Sequence, residues 1–356
     1  MARTPDIHLG KNGSDTGKEM AAAAAALVGA AAVGGKLAAD RRASNKRDAE
    51  RAFRLYKDEA TPEGIRRIAR GQLDQAHDEL TERPKRKLAG AVHDTRKGFK
   101  RLRATVRLAR DALGDDTYRH ENTAFRDAGR RLSGVRDASV LIETLDALEK
   151  ASGDDLPREA TARLRKRLED EREQALESLK ADDALVAAVI DDIEQARTRT
   201  AEWTFETQGF DALEPGLRRV YRRGRKAMRR AQAAPTNENL HEWRKRVKDL
   251  WHAEQILRPA APKKMKKLAK RTHQLADVLG DDHDLAELRL YAARRRHSFD
   301  DRMAQVALLA VIDRRRKVLQ DEAFALGPKL YGRKPGQFVR AIGRAWSKRV
   351  RTPAAA

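Results

Sequence analysis

The sequence predicts an all-α fold, and three observations support this prediction. From residue 61 onward, apolar residues recur at intervals of three and four, which is the period of a helix. No long run of strict alternation or of β-branched residues indicates a strand. Prolines and glycines divide the pattern into segments of helical length, because proline is tolerated at a helix start and disfavoured inside.

Residues 1–54 are expected to form a low-complexity tail and charged linker. Within them, Met20–Gly35 is an uncharged run of Ala, Gly and Val, and its 16 residues fall short of the roughly 20 needed to cross a bilayer. We interpret it as a helical tail, with surface attachment or self-association as the alternative. Gly280 and Pro328 are among the breakers that separate the later helices. The predicted helices cover residues 62–82, 85–113, 116–132, 135–150, 157–181, 183–202, 211–233, 236–257, 262–279, 282–297, 300–324 and 335–350.

The composition restricts the class of partner. The 356 residues include 76 Lys and Arg against 54 Asp and Glu, which gives a formal net charge of +22. With 40% hydrophobic residues the chain can still form a core. The absence of cysteine excludes disulfides, thiolate metal sites and cysteine nucleophiles. The charge therefore indicates a polyanionic partner: nucleic acid, an anionic membrane surface or an inorganic polyanion.

The second half of the chain repeats motifs of the first. A segment of pattern H-[DE]-x-R-K-x-φ-K-x-L, where φ is apolar, occurs twice; a G-φ-R-R-φ motif precedes each copy and an aspartate follows. The pairs are His93–Leu102 with His241–Leu250, Gly64–Ile68 with Gly216–Val220, and Asp137 with Asp284. Because the motifs keep their order and nearly constant spacing, we expect two similar helical bundles, residues 55–205 and 206–356, related by a pseudo-two-fold axis.

Each repeated helix separates an apolar face from a stripe of cations on a helical wheel. Phe99, Leu102 and Val106 of the first copy, and Trp243 and Val247 of the second, are expected to face the core. Like charges at this spacing repel by a few tenths of a kcal/mol per pair, so an anion is expected to compensate them. Stripes on neighbouring helices would form a cationic groove, and two facing copies a continuous basic channel.

The candidate anion-binding residues belong to the first two helices of each repeat. In the first repeat they are Arg66, Arg70, His93, Arg96, Lys97, Lys100, Arg103 and Arg107. In the second they are Arg218, Arg222, Arg225, His241, Arg244, Lys245, Lys248 and His252. Arginine suits bidentate contact with phosphate oxygens, and lysine supplies a point charge. Trp251 and Gln255 stand where the first repeat has Arg103 and Arg107, so we expect a shorter or weaker second groove.

These duplicated motifs resemble those of the CHAD family, the conserved-histidine α-helical domain, over roughly residues 55–350. The resemblance implies two four-helix bundles with a basic cavity between them. It also implies binding of inorganic polyphosphate and association with polyphosphate granules in bacteria. Many members are fused to a triphosphate-tunnel catalytic domain with an E-x-E-x-K signature, which does not occur here. We therefore expect a cytoplasmic, non-enzymatic protein that binds long-chain polyphosphate and the granule surface, with no cofactor, metal, catalytic residue or transmembrane segment.

A metal-dependent phosphohydrolase of the HD type is a less favoured interpretation. It would use His-Asp pairs such as those beginning at His93 and His283. The repeat argues against it, because Arg136 stands at the position that corresponds to His283. No compact carboxylate cluster is evident that would hold a divalent ion beside so many cations.

Nucleic-acid binding is the main alternative, since a nucleic-acid backbone offers charges similar to those of polyphosphate. The sequence contains no helix-turn-helix motif, zinc finger or aromatic platform that would read bases. A third hypothesis is an organiser of granule or membrane surfaces anchored by Met20–Gly35, which is compatible with polyphosphate binding.

Overall fold

The computed structural model describes residues 52–82, 88–132, 134–295 and 302–348. These residues form twelve α-helices and no strand, which confirms the predicted all-α class. The described residues from Phe53 onward belong to one compact unit. The run Met20–Gly35 lies outside the described residues.

The helices are named in chain order. They are α1 (Thr61–Thr81), α2 (Leu88–Leu108), α3 (Arg110–Leu113), α4 (Asp115–Arg131), α5 (Gly134–Ser152), α6 (Arg158–Ala181), α7 (Asp183–Ala201), α8 (Glu214–Ala233), α9 (Asn237–Ile256), α10 (Pro262–Arg294), α11 (Arg302–Tyr331) and α12 (Pro335–Ser347). Single 3₁₀ turns follow α5 and α9.

Local sequence explains several helix starts. Proline stands in the first turn of α1, α8, α10 and α12, where its missing N–H costs no intrahelical hydrogen bond. Thr236 caps α9 by accepting a hydrogen bond from the Asn239 N–H at 3.3 Å. The predicted helix over 85–113 ends instead at Leu108, and Gly114, at φ +79°, makes the turn into α4.

The same order of helix pairings occurs in both halves. In the first half α1 packs on α2, α2 on α4, and α7 returns to α1. In the second half α8 packs on α9, α9 on α10, and α12 returns to α8. Helix α2 also contacts α8 and α9, and α10 contacts α5, so the halves pack directly on each other. The symmetry of two four-helix bundles, their boundary at residue 205 and the basic channel stay predictions.

Two predicted helix boundaries are wrong. Gly280 lies inside α10, because the apolar face continues through the buried Leu279 and Leu285 on either side of it. Pro328 lies inside α11, near its C-terminal end. Burial of Leu330 and Tyr331 extends the helix beyond this proline, so tertiary packing outweighs the lost backbone hydrogen bond.

The folded part begins slightly before the predicted end of the linker at residue 54. Phe53 and Leu55 are both buried, and the Phe53 ring meets His252 edge-on at 5.8 Å. The Leu55 N–H donates to the Ile256 carbonyl at 3.1 Å. This segment therefore covers the C-terminal end of α9.

The predicted apolar faces of α2 and α9 are confirmed. Phe99, Leu102 and Val106 are buried in the first helix, and Trp243 and Val247 in the second. Burial of these side chains fixes the rotation of each helix about its axis. On the opposite side of each helix, Lys97, Lys100 and Lys245 are exposed.

Candidate anion-binding site

Helices α2 and α9 are joined near their C-terminal ends by an ion pair. Arg107 Nη1 donates to Asp249 Oδ1 at 2.7 Å, and the two side chains are only 17% and 11% exposed. From this crossing the cationic stripes run back toward the helix N-termini. At the helical rise, His93 lies about 21 Å and His241 about 12 Å along its helix from the crossing. The two stripes thus share one end.

The N-terminal part of the α2 stripe is open to solvent. Lys97 and Lys100 are exposed, and His93 is half-buried. Lys97 Nζ lies 3.3 Å from Asp94 Oδ1, a pair separated by three residues on the helix surface. Such exposed pairs contribute little stability, so Lys97 can exchange this carboxylate for another anion at small cost.

Two arginines of the α2 stripe, Arg96 in its N-terminal part and Arg103 in its C-terminal part, are held by neighbouring groups. Arg96 donates to the Leu132 carbonyl at 3.2 Å, and Arg103 Nε donates to Asn122 Oδ1 at 3.3 Å. Burial, together with repulsion from Arg107, lowers the pKa of Arg103 to about 10. At neutral pH Arg103 is still charged, so the α2 stripe keeps a fixed positive charge.

The α9 stripe combines cations with a pair of histidines. Lys245 pairs with Glu242 at 2.8 Å, and the Lys248 ammonium lies 5.8 Å from the Trp251 ring centroid. The ring of His241 lies against that of His283 from α10, with centroids 4.2 Å apart. His283 thus joins the stripe from a helix on which no anion-binding residue was predicted.

Arg244 lies against α10. A Cβ at Gly280 would be 3.5 Å from Arg244 Nε, so the guanidinium rests on this glycine. Arg244 Nε and His241 Nδ1 are both buried without a hydrogen-bond partner among the described residues. Burial lowers the pKa of His241, and Lys245 and Arg244 lower it further, so the imidazole is neutral at pH 7.

His252 does not lie on the surface with the other predicted residues. It is 8% exposed, enclosed by the Phe53 and Trp251 rings, and burial lowers its pKa to about 3. On a helical wheel it falls beside His241, but α2 and the Phe53 segment cover that end of α9. This placement argues against His252 as a ligand for an external anion.

Arg66 of α1 and Arg218 of α8 each contact a neighbouring segment. Arg66 Nε donates to the Trp203 carbonyl at 3.0 Å, and its guanidinium lies over the Phe205 ring. Arg218 pairs with Glu214 and lies near Gly336 of α12. Arg66 therefore contacts the segment after α7, and Arg218 lies near α12, while the predicted groove with the α2 and α9 stripes stays a prediction. Arg70 and Arg222 are exposed, and Arg225 is half-buried.

A cleft of about 400 Å³ at the start of α8 brings two of the predicted arginines together. Arg218 and Arg222 share it with Arg219 and two carboxylates. Its lining residues are Asp211, Glu214, Pro215, Arg218, Arg219 and Arg222. The carboxylates make this cleft less favourable for a polyanion than the stripe on α2.

Apart from Arg107, sequence reasoning missed the arginines that lie between the halves. They surround a cavity of about 10 Å³, which is about the size of one water molecule. Its lining residues are Arg107, Arg110, Tyr118, Arg219, Val220, Arg223, Arg246 and Asp249. Arg219 reaches Asp111 at 2.7 Å and Arg246 reaches Asp249 at 2.8 Å. The cavity is too small for a phosphate, so we interpret it as an ionic seam that joins the halves.

Two other features bear on the alternatives. Within the described ranges, no group of three or more His, Asp or Glu side chains could hold a metal ion, and Asp137 lies outside the described side chains. None of the helices in the same ranges is long and apolar enough to cross a membrane.

Comparison with known proteins identifies the family. The chain matches the CHAD domain over residues 67–293, which is more than half of its length, and it belongs to the CHAD family. Among solved structures it is similar to PptA from Streptomyces chartreusis, with a TM-score of 0.57 and 18% identity over 76% of this chain and 100% of that chain. At this identity the likeness shows the fold alone. No curated protein matches the sequence.

Proposed function

We propose that this protein binds long-chain inorganic polyphosphate through the stripes on α2 and α9. The observation that carries the proposal is the crossing at Arg107 and Asp249, because it gives two stripes of cations one common end. A linear polyanion can follow one stripe to the crossing and continue along the other. Membership of the CHAD family, which implies polyphosphate binding, supports the proposal.

Affinity in this arrangement is multivalent and electrostatic. Many phosphates meet fixed cations at once and release their condensed counterions, so affinity rises with chain length and falls steeply with salt. Arg103 and Arg107 are anchored before the ligand arrives, which reduces the entropy lost on binding. Binding of this kind breaks no bond, so the proposed role is not enzymatic. Cytoplasmic location and attachment to polyphosphate granules are further parts of the proposal.

The deciding experiment is a competition titration at fixed salt. A labelled long-chain polyphosphate is displaced by unlabelled polyphosphate, or by single- and double-stranded DNA and RNA at equal phosphate concentration. We expect polyphosphate to displace the label far better than nucleic acid. Equal or better displacement by nucleic acid would mean that the net charge of +22 acts as a general cation, and would favour nucleic-acid binding.

Granule attachment has its own test. A fluorescent fusion of the full chain, expressed in cells that contain polyphosphate granules, should mark those granules. A diffuse signal in such cells would reject granule attachment while leaving polyphosphate binding in solution intact.

A further inference from the structure

Three helices bring an unusual set of nitrogen-bearing groups together beside the α9 stripe. His241 and Arg244 come from α9, His283 from α10 and Arg316 from α11. The two imidazole rings lie 4.2 Å apart between centroids, and Arg244 rests on Gly280, less than one turn from His283. The first half has no matching pair among its described side chains.

The buried carboxylate next to His283 in the sequence is already paired through one of its oxygens. Asp282 accepts hydrogen bonds from Arg316 Nε at 3.0 Å and from Gln320 Nε2 at 2.9 Å. Arg316 Nη2 donates in turn to Asn237 Oδ1 at 2.7 Å. This network fixes Arg316 behind the histidines and leaves Asp282 neutralised.

The other nearby carboxylates do little to stabilise the protonated forms of His241 and His283. Glu242 is paired with Lys245 and Arg246. Glu287 Oε1 is 4.0 Å from His283 Nδ1, at the limit of an ion pair. The remaining charged groups on α10, α11 and α5 include Asp277, Asp281, Asp284, Arg315, Glu143, Asp146 and Glu149. Of these, Asp146 and Glu149 are paired with Arg165 of α6.

Without a bound anion, protonation of the histidine pair is therefore unfavourable. Burial, together with repulsion from His241 and Arg244, lowers the pKa of His283 to about 3. The pKa of His241 is lowered by burial and by Lys245 and Arg244. A phosphoryl group placed against the pair would supply the missing negative charge and favour the protonated form.

Building on the proposed function, we propose that His241, His283 and Arg244 form a phosphate-binding subsite in which the bound phosphoryl group brings one proton with it. Arg244 supplies permanent charge, and one imidazole becomes an imidazolium. Both rings together cannot easily be charged at a centroid distance of 4.2 Å. The proton comes from solvent and returns to it on release.

The sign of the resulting pH dependence follows from linkage. The occupied pair holds a proton that the empty pair lacks, so affinity rises as the pH falls. For one proton the rise is at most about tenfold per pH unit. The rise in affinity begins where the pH falls through the pKa of the histidine pair with phosphate bound. It continues toward the much lower pKa of the pair without phosphate.

The test measures affinity for long-chain polyphosphate between pH 8 and pH 5 at constant ionic strength. The variants are His283→Gln, the double variant His241→Gln/His283→Gln, and His120→Gln as a control on the exposed surface of α4. We expect affinity to rise as the pH falls in the wild type and in the control, and to rise much less steeply in the double variant. A flat wild-type profile, or an unchanged slope in the double variant, would overturn the proposal.

A second readout requires no variant and so does not depend on how a variant folds. Titration calorimetry of the wild type in two buffers of different ionisation enthalpy counts the protons taken up on binding. We expect an uptake approaching one proton where the pH profile is steepest, and an uptake of zero would reject the subsite.

The same series separates this proposal from the proposed function. Tight binding at pH 8 without a pH slope rejects the proton-linked subsite and leaves polyphosphate binding intact. Absence of binding at every pH rejects both.

Discussion

Helices α2 and α9 align position for position from His93 and His241, and they agree at one end and differ at the other. In the N-terminal turns both have a histidine, an acid, an arginine and two lysines at the same places. In the C-terminal turns the aligned residues are Arg101 and Asp249, Arg103 and Trp251, Ala104 and His252, Val106 and Glu254, and Arg107 and Gln255. The comparison indicates two tasks: the N-terminal turns present cations to solvent, and the C-terminal turns join the halves.

Opposite charges at one aligned position show why the C-terminal turns differ. Asp249 accepts from Arg107 and pairs with Arg246, whereas Arg101 reaches Gln72 at 3.2 Å and the Phe53 ring at 5.2 Å. Two similar cationic surfaces would repel each other if packed together. An acid on one side converts that repulsion into attraction.

The largest expected effect concerns the N-terminal turns. Replacing Arg96, Lys97 and Lys100 by Ala should weaken polyphosphate binding about 100- to 1,000-fold, because three charged contacts of somewhat more than 1 kcal/mol each are lost. The same titration that tests the proposed function measures the loss, and circular dichroism checks the helix content.

A matched control removes the same charge elsewhere. Lys263, Lys264 and Lys267 are exposed on the first turns of α10, outside the predicted stripes. Their replacement by Ala should weaken binding only slightly. An equal loss in both triple variants would show that net charge alone governs binding and would remove the distinction between the two ends of α2.

The next effect concerns the C-terminal turns. Asp249→Ala should lower the free energy of unfolding by about 3 kcal/mol, since it leaves Arg107 and Arg246 close together without their shared carboxylate. Arg101→Ala at the aligned position should cost only about 1 kcal/mol. Urea unfolding measures both changes. Equal losses of unfolding free energy would contradict the proposed difference between these two aligned positions.

A third prediction uses the aligned pair Val106 and Glu254, both fully buried. Burial raises the pKa of Glu254 well above its usual value, so the folded state keeps a proton that the unfolded chain loses above about pH 4.5. Stability should therefore fall as the pH rises above that value, by at most about 1.4 kcal/mol per pH unit.

Glu254→Gln, which has a similar size and no proton to lose, should remove this dependence. Urea unfolding of the wild type and the variant at pH 5 and pH 8 measures it. If the variant loses as much stability as the wild type between the two pH values, Glu254 is not the responsible group.

The smallest effect concerns the acids beside the stripes. Glu242→Gln should strengthen polyphosphate binding a few-fold by releasing Lys245, since an exposed ion pair of this kind contributes up to about 1 kcal/mol. Asp94→Asn should have a smaller effect, because Asp94 lies 3.3 Å from Lys97 whereas Glu242 lies 2.8 Å from Lys245. Titration of both variants with polyphosphate at one salt concentration ranks their affinities. The reverse order would contradict the comparison of these aligned positions.

Periodicity and the repeated motifs were sufficient to predict the helical class and the faces of α2 and α9. A wheel describes one helix at a time, however, so it could not show that α2 and Phe53 enclose His252. It also could not show that Arg219 of α8 meets Asp111 of the first half. The failures at Gly280 and Pro328 have the same origin, because burial of residues beyond each breaker decides whether the helix continues.

The shared end of the two stripes sets the minimum length of a linear polymer that can contact both of them. A polyanion that follows both stripes needs a contour of about 33 Å, the summed lengths from His93 and His241 to the crossing. A shorter polymer occupies one stripe, whereas a longer one ties two weak attachments together at high effective concentration. In the proposed binding mode, affinity therefore increases sharply once the polymer is long enough to occupy both stripes. It does not increase in proportion to every added phosphate.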